Sequence, residues 1–144
     1  MFKKILIANR GEIACRIIST AKKLGIKTVA ICSDADINSP HVNLADEYVN
    51  ISGNTSAESY LVVEKIIKAM KKTNADAVHP GYGFLSENVL FIDEINKIGK
   101  IFIGPPSQAI LLMGDKIKSK EIAKSANVSI VPGGLDSIGT IDEA

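Results

Sequence analysis

The sequence predicts an α/β protein built on an open, doubly wound, five-stranded parallel sheet with strand order 3-2-1-4-5. Short, continuous apolar runs, typical of strands buried on both faces, alternate along the chain with longer segments of helical periodicity. The segments between successive runs are also long enough for right-handed crossovers, which join neighbouring parallel strands. Such an alternation covers both faces of one sheet with helices.

Five apolar runs are predicted as the strands. Each run is short, and polar or turn-forming residues bound it on both sides. The predicted strands cover residues 5–8, 28–32, 48–51, 75–79 and 100–103.

Helix boundaries are predicted from capping patterns. The first helix follows the turn at residues 9–12 and ends at Gly25, a residue type suited to the left-handed position after a helix. Thr55 and Glu58 form the pattern of a capping box and predict a helix over residues 59–72. Ser86 is predicted as the N-cap of the following helix, over residues 88–98.

After the last strand, two short helices are predicted over residues 107–113 and 115–126, separated at Gly114. Residues 129–131 are predicted to begin a strand, and residues 132–134 are predicted to form a loop. Thr140 and Glu143 then form a capping-box pattern for a helix that the sequence does not go on to build. We therefore expect the chain to be part of a longer protein.

Composition excludes several classes of function. A 144-residue chain with 46% hydrophobic residues is large enough for one domain with its own core. No apolar run approaches the roughly 20 residues of a membrane-spanning helix, and the first run is too short for a signal peptide. The 17 basic and 16 acidic residues are mixed along the chain. We expect a cytoplasmic protein that binds neither nucleic acid nor membrane, with a mitochondrial location of a longer precursor as the alternative.

A glycine-rich loop between the fourth strand and the next helix is the first candidate site. Open α/β sheets bind ligands beyond the carboxyl ends of their strands, where this loop is predicted to lie. Gly81 and Gly83 permit positive φ or close approach of a ligand, and Tyr82 and Phe84 alternate with them. The alternative interpretation is a tight turn that returns one aromatic side chain to the core.

The turn after the first strand does not match a dinucleotide-binding site. The glycine pattern of such sites is absent, because Gly11 is the only glycine and Arg10 and Glu12 would crowd a pyrophosphate. We therefore predict that neither NAD nor FAD binds. Arg10, Glu12 and Arg16 are interpreted as an ion-pair cluster that fixes the loop or contacts another subunit.

The histidines and cysteines give no sign of a metal site. Cys15 and Cys32 have no CxxC spacing and are predicted as core thiols in a reducing compartment. His79 ends a strand before a proline and is interpreted as a hydrogen-bonded structural residue. His41 is assigned to a polar loop without a role, and Glu87 is explained by the preference of helix N-termini for acidic residues.

Lys116 is the second candidate site. Asp115 is predicted to cap a helix whose first turn then contains Lys116. A helix N-terminus favours anions, so a lysine is electrostatically misplaced there unless a phosphate binds to it and to the free N–H groups. The alternative is a solvated surface lysine.

Three segments of the chain resemble the N-terminal part of the biotin carboxylases, the ATP-grasp components of acetyl-CoA, propionyl-CoA and pyruvate carboxylases. They occur in the expected order, and together the resemblance spans nearly the whole chain. The segments are ILIANRGEIACRI at residues 5–17, HPGYGFLSEN at 79–88 and FIGPPSQAILLMGDKIKSK at 102–120.

The resemblance implies a division of the chain and a role for each candidate site. Residues 1–114 would form the Rossmann-like, pre-ATP-grasp domain, and residues 115–144 would begin the ATP-grasp region. Lys116, in MGDK, would be an ATP ligand, and Tyr82, Gly83 and Phe84 would lie beside the biotin pocket. The resemblance also favours the structural interpretation of the arginine–glutamate cluster. No catalytic residue and no metal ligand is expected within this chain.

The function implied by the resemblance is ATP- and bicarbonate-dependent carboxylation of biotin on a carrier protein. The expected cofactors are ATP, Mg²⁺ or Mn²⁺, and carrier-bound biotin, with the metal ligands outside these residues. The expected partners are a biotin carboxyl carrier protein, a carboxyltransferase and further copies of the same chain in a homo-oligomer. Two alternatives stay open: a non-catalytic docking module, and the corresponding domain of another ATP-grasp ligase, such as a carbamoyl-phosphate synthetase.

Overall fold

A five-stranded parallel sheet forms the centre of the structure. The computed structural model describes residues 1–131 of the chain. The strand order is β3-β2-β1-β4-β5, which confirms the predicted topology. The strands are β1 (Lys4–Ile7), β2 (Lys27–Cys32), β3 (Glu47–Asn50), β4 (Ala77–His79) and β5 (Ile101–Phe102).

Six helices are present in the described part of the chain. They are α1 (Gly11–Lys23), α2 (Pro40–Leu44), α3 (Val63–Thr73), α4 (Val89–Lys97), α5 (Ser107–Met113) and α6 (Lys116–Ser125). The chain divides into two compact units, and the first of them, Met1–Pro105, contains the whole sheet. That boundary precedes the predicted domain division at residue 114. The assignment of residues 1–114 and 115–144 to two functional domains stays a prediction.

The central strands form the core because most of their residues are apolar and buried. Leu6 of β1 pairs with Val29 of β2 and Val78 of β4, and all three side chains are fully buried. Burial of one such side chain contributes about 1.5–3 kcal/mol to folding. The apolar runs at the centre of the sheet therefore correspond to buried strands, whereas the edge strands β3 and β5 have exposed side chains such as those of Tyr48 and Ile101.

Two helix starts differ from the predictions. The capping box forms, since the Glu58 N–H donates to Thr55 Oγ1 at 3.3 Å and the Thr55 N–H donates to Glu58 Oε2 at 3.0 Å. It caps only a turn, however, because burial of Tyr60 fixes the chain there, and α3 begins at Val63. Ser86 also lies in a turn, and Asn88 instead caps α4 by accepting a hydrogen bond from the Phe91 N–H.

Two other predictions were wrong, and two lie outside the described residues. His41 does not lie in a polar loop: it is buried in α2, and its Nε2 is 3.2 Å from the carbonyl oxygen of Ile31. Residues 129–131 form no strand. The predicted loop at residues 132–134 and the helix announced by Thr140 and Glu143 lie beyond residue 131. Gly25, with φ +71°, follows α1 as predicted.

Asp46 connects β2 to β3 and carries the most clearly shifted carboxylate of the fold. It accepts hydrogen bonds from Lys27 Nζ at 2.9 Å and from the N–H and hydroxyl of Thr28 at 2.9 and 2.8 Å. These donors lower the pKa of Asp46 from 3.8 to about 2. Its contribution to stability is therefore complete above pH 3.8 and is lost as the pH falls through about 2.

We predict that Asp46→Asn makes the chain less sensitive to acid. The variant should have a smaller free energy of unfolding at pH 7, because an amide cannot replace the charged acceptor. The difference from the wild type should shrink as the pH falls from about 4 to about 2. Urea unfolding across this range measures the effect, and Asp93→Asn on α4 is the control. A constant difference at all pH values would contradict the prediction.

Candidate functional site

The candidate site lies at the carboxyl ends of β1 and β4. The chain leaves β1 towards β2 and leaves β4 towards β5, so the connections diverge in opposite directions at this point. Such a reversal opens a crevice where doubly wound sheets bind ligands. A cavity of about 280 Å³ is present there. Its lining residues are Asn9, Arg10, Glu12, Ile13, Tyr82, Gly83 and Phe84.

The structure thus brings two of the sequence-predicted groups together. Arg10 and Glu12 from the turn after β1 share the cavity with the aromatic–glycine loop at residues 82–84, which follows β4. These segments are more than 60 residues apart in sequence but adjacent in space, because Ile7 pairs with His79 and the Ala8 N–H donates to the His79 carbonyl at 2.9 Å.

Asn9 joins the two segments, and the sequence analysis gave it no role. Its side chain is buried, and Nδ2 donates to the carbonyl oxygens of Pro80 at 2.7 Å and Tyr82 at 2.9 Å. Its Oδ1 accepts from the Arg10 N–H at 2.9 Å. The amide group therefore uses both donor hydrogens and its oxygen, which fixes the loop after β4 against the turn after β1.

The two glycines of the loop serve different purposes. Both have positive φ, +68° at Gly81 and +64° at Gly83. A Cβ on Gly81 would lie 2.7 Å from Asn9 Nδ2, so packing also requires glycine there. A Cβ on Gly83 would have no atom within 4 Å. The backbone at Gly83 is therefore open on the side where a ligand could approach.

The two aromatic residues of the loop point to different environments. Phe84 stacks on the buried ring of Tyr60, with ring centroids 5.2 Å apart and an interplanar angle of 1°. Tyr82 is 64% exposed. Phe84 is therefore the aromatic side chain that returns to the core, and Tyr82 is the one available to a ligand.

Arg10 forms an ion pair outside the predicted cluster. Its Nη1 lies 3.2 Å from Asp36 Oδ2, whereas Glu12 pairs with Arg16 at 3.6 Å along the exposed face of α1. An exposed pair of this kind contributes little to stability. The predicted group of three is therefore divided between two ion pairs, and a subunit contact stays a prediction.

Asp36 and Tyr60 form a polar pair next to the loop. The Tyr60 hydroxyl donates to Asp36 Oδ2 at 2.7 Å and accepts from the Ser33 N–H at 3.0 Å. Burial and the bond to Asp36 raise the pKa of Tyr60. Burial alone would raise the pKa of Asp36, but hydrogen bonds from Tyr60 and Ser33 and the charge of Arg10 lower it overall. Neutral phenol and ionised carboxylate therefore persist together near neutral pH.

His79 and the two cysteines do not line this cavity. His79 Nδ1 accepts from the Gly81 N–H at 3.0 Å, and burial lowers the pKa of His79, which favours the neutral ring. Cys15 and Cys32 are free thiols, and burial, followed by the charges of Asp36 and Asp34, raises the pKa of Cys32. Within residues 1–131 there is no group of three or more histidine, cysteine or acidic side chains that could hold a metal.

Lys116 belongs to the second unit and begins α6, as predicted. Asp115 caps this helix: its Oδ1 accepts hydrogen bonds from the Ile117 and Lys118 N–H groups at 2.9 and 3.1 Å. Asp115 therefore already uses two of the N–H groups at this helix start, and the binding of a phosphate beside Lys116 stays a prediction. Lys116 is an exposed cation on the first turn, and its role as an ATP ligand stays a prediction.

No helix within residues 1–131 combines the length and the apolar character that crossing a membrane would require.

Comparison with known proteins gives concordant matches. The family model described as "Biotin carboxylase, N-terminal domain" matches residues 1–110. The propionyl-CoA carboxylase alpha chain of Ruegeria pomeroyi is 58% identical over 144 residues, which is 100% of this chain and 21% of that protein. The mitochondrial propionyl-CoA carboxylase alpha chain of Mus musculus is 55% identical over 143 residues, or 99% of this chain and 20% of that protein. The chain therefore spans about a fifth of the length of these curated relatives.

A solved structure agrees with these sequence matches. The biotin carboxylase domain dimer of Hydrogenobacter thermophilus 2-oxoglutarate carboxylase, in complex with MgADP, ADP and bicarbonate, superimposes with a TM-score of 0.88. It is 46% identical, and the match covers 99% of this chain and 31% of that one.

The contrast between the two glycines yields a stability prediction. Gly81→Ala and Gly83→Ala should each lower the free energy of unfolding by about 1–2 kcal/mol, because alanine is strained at positive φ. In Gly81→Ala the free energy of unfolding should fall by about 1–3 kcal/mol more, because the added Cβ would push the buried Asn9 amide away from its hydrogen-bond partners. Urea unfolding of the two variants measures the difference directly. Equal losses would mean that the Asn9 contact adds nothing to the stability of the loop.

Proposed function

Because the chain belongs to the family of biotin carboxylase N-terminal domains, we propose that it forms one wall of the biotin site in an ATP- and bicarbonate-dependent ligase. The ligase carboxylates biotin attached to a carrier protein. The observation that carries this proposal is the cavity between β1 and β4, because the loop with the most distinctive sequence of the chain lines it. Family membership also argues against a carbamoyl-phosphate synthetase-like ligase.

The lining of the cavity suits the ureido ring of biotin. That ring has two flat faces and a polar edge, so it needs an aromatic or backbone surface beside it and hydrogen-bonding groups at its rim. Tyr82 is exposed next to the open backbone of Gly83, and Arg10 and Glu12 supply polar groups at the same cavity. Phe84 also lines the cavity, and its ring stacks on that of Tyr60.

When bound, ATP would supply the phosphoryl group that activates bicarbonate, and Mg²⁺ would neutralise the negative charge on that group. Residues 1–131 contain no metal-ligand cluster, so we place the ligands of Mg²⁺ or Mn²⁺ in another part of the longer protein. The contribution of this chain to ATP binding is Lys116, whose compact ammonium group suits a phosphate oxygen. No residue of the described chain is assigned to the chemical steps.

The partners follow from the same reaction. Carboxylated biotin has to reach an acceptor, so we propose a biotin carboxyl carrier protein and a carboxyltransferase, in the same or in separate chains. A homo-oligomer and a cytoplasmic location belong to this proposal. The acceptor is not specified by it, because the relatives include carboxylases named for propionyl-CoA and for 2-oxoglutarate.

The proposal predicts a sharp difference between the chain and a complete carboxylase. A full-length carboxylase containing this domain should cleave ATP in a bicarbonate-dependent manner and carboxylate free biotin. The purified 144-residue chain should show neither activity above background, because it lacks a metal-ligand cluster within residues 1–131. Phosphate release and fixation of labelled bicarbonate measure both activities. Turnover by the pure chain would contradict the claim that the catalytic groups lie elsewhere in the longer protein. An inactive full-length protein would contradict the proposed function itself.

Lys116 provides a more specific test. In the full-length carboxylase, Lys116→Gln should raise the KM for ATP about tenfold or more, because a hydrogen bond to a charged group is worth about 1.5–3 kcal/mol. The KM for bicarbonate should change much less, and the free energy of unfolding should stay within about 0.5 kcal/mol. Lys124→Gln, in the last turn of the same helix, is the matched control. Unchanged ATP kinetics would make Lys116 a solvated surface residue.

A further inference from the structure

Tyr60 lies behind the candidate biotin loop and does not line its cavity. It precedes α3, in the turn that the sequence analysis assigned to a helix, and its side chain is only 1% exposed. One face of its ring stacks on Phe84, and the Arg10 guanidinium lies 5.8 Å from the ring centroid. Tyr60 therefore touches two residues of the cavity lining from the protein side.

The hydroxyl group fixes the position of this ring. It donates to Asp36 Oδ2 at 2.7 Å and accepts from the buried Ser33 N–H at 3.0 Å. Asp36 in turn accepts from Ser33 Oγ at 3.0 Å and pairs with Arg10 at 3.2 Å. Displacing the ring would leave several part-buried polar groups without partners, which is costly.

Phe84 needs such a support because its backbone is unusual. Its φ is +43°, a conformation that bulky residues rarely adopt and that surrounding structure has to stabilise. The parallel stack on Tyr60 supplies a contact from outside the loop. On the other side of Gly83, Asn9 holds the carbonyls of Pro80 and Tyr82. Gly83 therefore lies between two fixed points.

We propose that Tyr60 is a positioning residue for biotin, which acts through Phe84 to hold the backbone of Tyr82 and Gly83 in its binding conformation. This inference rests on the proposed function of the loop. Tyr60 itself contacts no substrate in this assignment. Its planar ring is the part that matters for biotin, whereas its hydroxyl keeps the ring in place.

The test compares Tyr60→Phe and Tyr60→Leu in the full-length carboxylase. Tyr60→Leu removes the planar face and should raise the KM for free biotin about fivefold, the order expected for losing one aromatic pair. The KM values for ATP and bicarbonate should change less than about twofold, and kcat at saturating biotin should be largely kept, because the backbone adopts its binding conformation once biotin is bound. Tyr60→Phe retains the ring stack and should therefore have the wild-type KM for biotin. Its Tm should be lower than that of the wild type, because the hydrogen bonds of the hydroxyl group are lost.

A matched control separates positioning from stability. Phe91→Leu also removes a buried ring from an aromatic pair, the one with Phe102, whose centroids are 5.9 Å apart. It should lower Tm without changing the KM for biotin. In Tyr60→Leu, hydrogen exchange of the peptide covering residues 81–88 should become faster, and in Tyr60→Phe and Phe91→Leu it should not.

If Tyr60→Leu does not fold, Tyr60→Met replaces it, since methionine fills irregular space without a planar face. A Tyr60 variant that loses Tm to the same extent as Phe91→Leu, with unchanged biotin KM and loop exchange, would overturn the inference. A wild-type carboxylase that does not carboxylate biotin would overturn the proposed function and the inference with it. That failure is distinguishable because it appears before any substitution is made.

Discussion

The pairing of β1 with β4 is the contact on which the candidate site depends. These strands are about 70 residues apart in sequence, and their parallel register places the turn after β1 beside the loop after β4. Asn9 can then donate to the carbonyls of Pro80 and Tyr82. The strand order also reverses between these two strands, which opens the crevice. The pairing of β1 with β4 therefore determines both the crevice and the positions of the groups at its rim.

The loop after β4 combines a fixed backbone with an exposed residue that a ligand could reach. A loop that binds a ligand has to leave its backbone open, yet an open backbone lacks the packing that would hold it. Here the constraints act next to the open residue. Gly81 packs directly against Asn9, and Phe84 stacks on Tyr60, while Gly83 between them faces free space. The glycines therefore have separate tasks, one in packing and one in access.

The sequence was sufficient for the strand order and for most elements, because short apolar runs and crossover rules are local or nearly local information. It failed where a distant partner determined the outcome. The capping box at Thr55 formed its hydrogen bonds, but α3 starts later because Tyr60 is anchored by Asp36. For the site, the aromatic–glycine loop could be identified from its residues. Asn9 lies in a segment that resembles the family, but nothing in the sequence marked it as a residue of the site. Nothing in the sequence marked Tyr60 either.

The contacts that fix this loop also bear on which molecule finally receives the carboxyl group in the proposed reaction. Relatives named for propionyl-CoA and for 2-oxoglutarate share between 46% and 58% identity with this chain. The loop is set by two backbone carbonyls, positive φ angles and one ring stack, and none of these depends on what finally receives the carboxyl group. A ligase that carboxylates biotin handles the same ureido ring whatever the acceptor. If the proposed function holds, we expect the choice of acceptor to be made outside residues 1–131, because the geometry of this loop would be needed whatever the acceptor is.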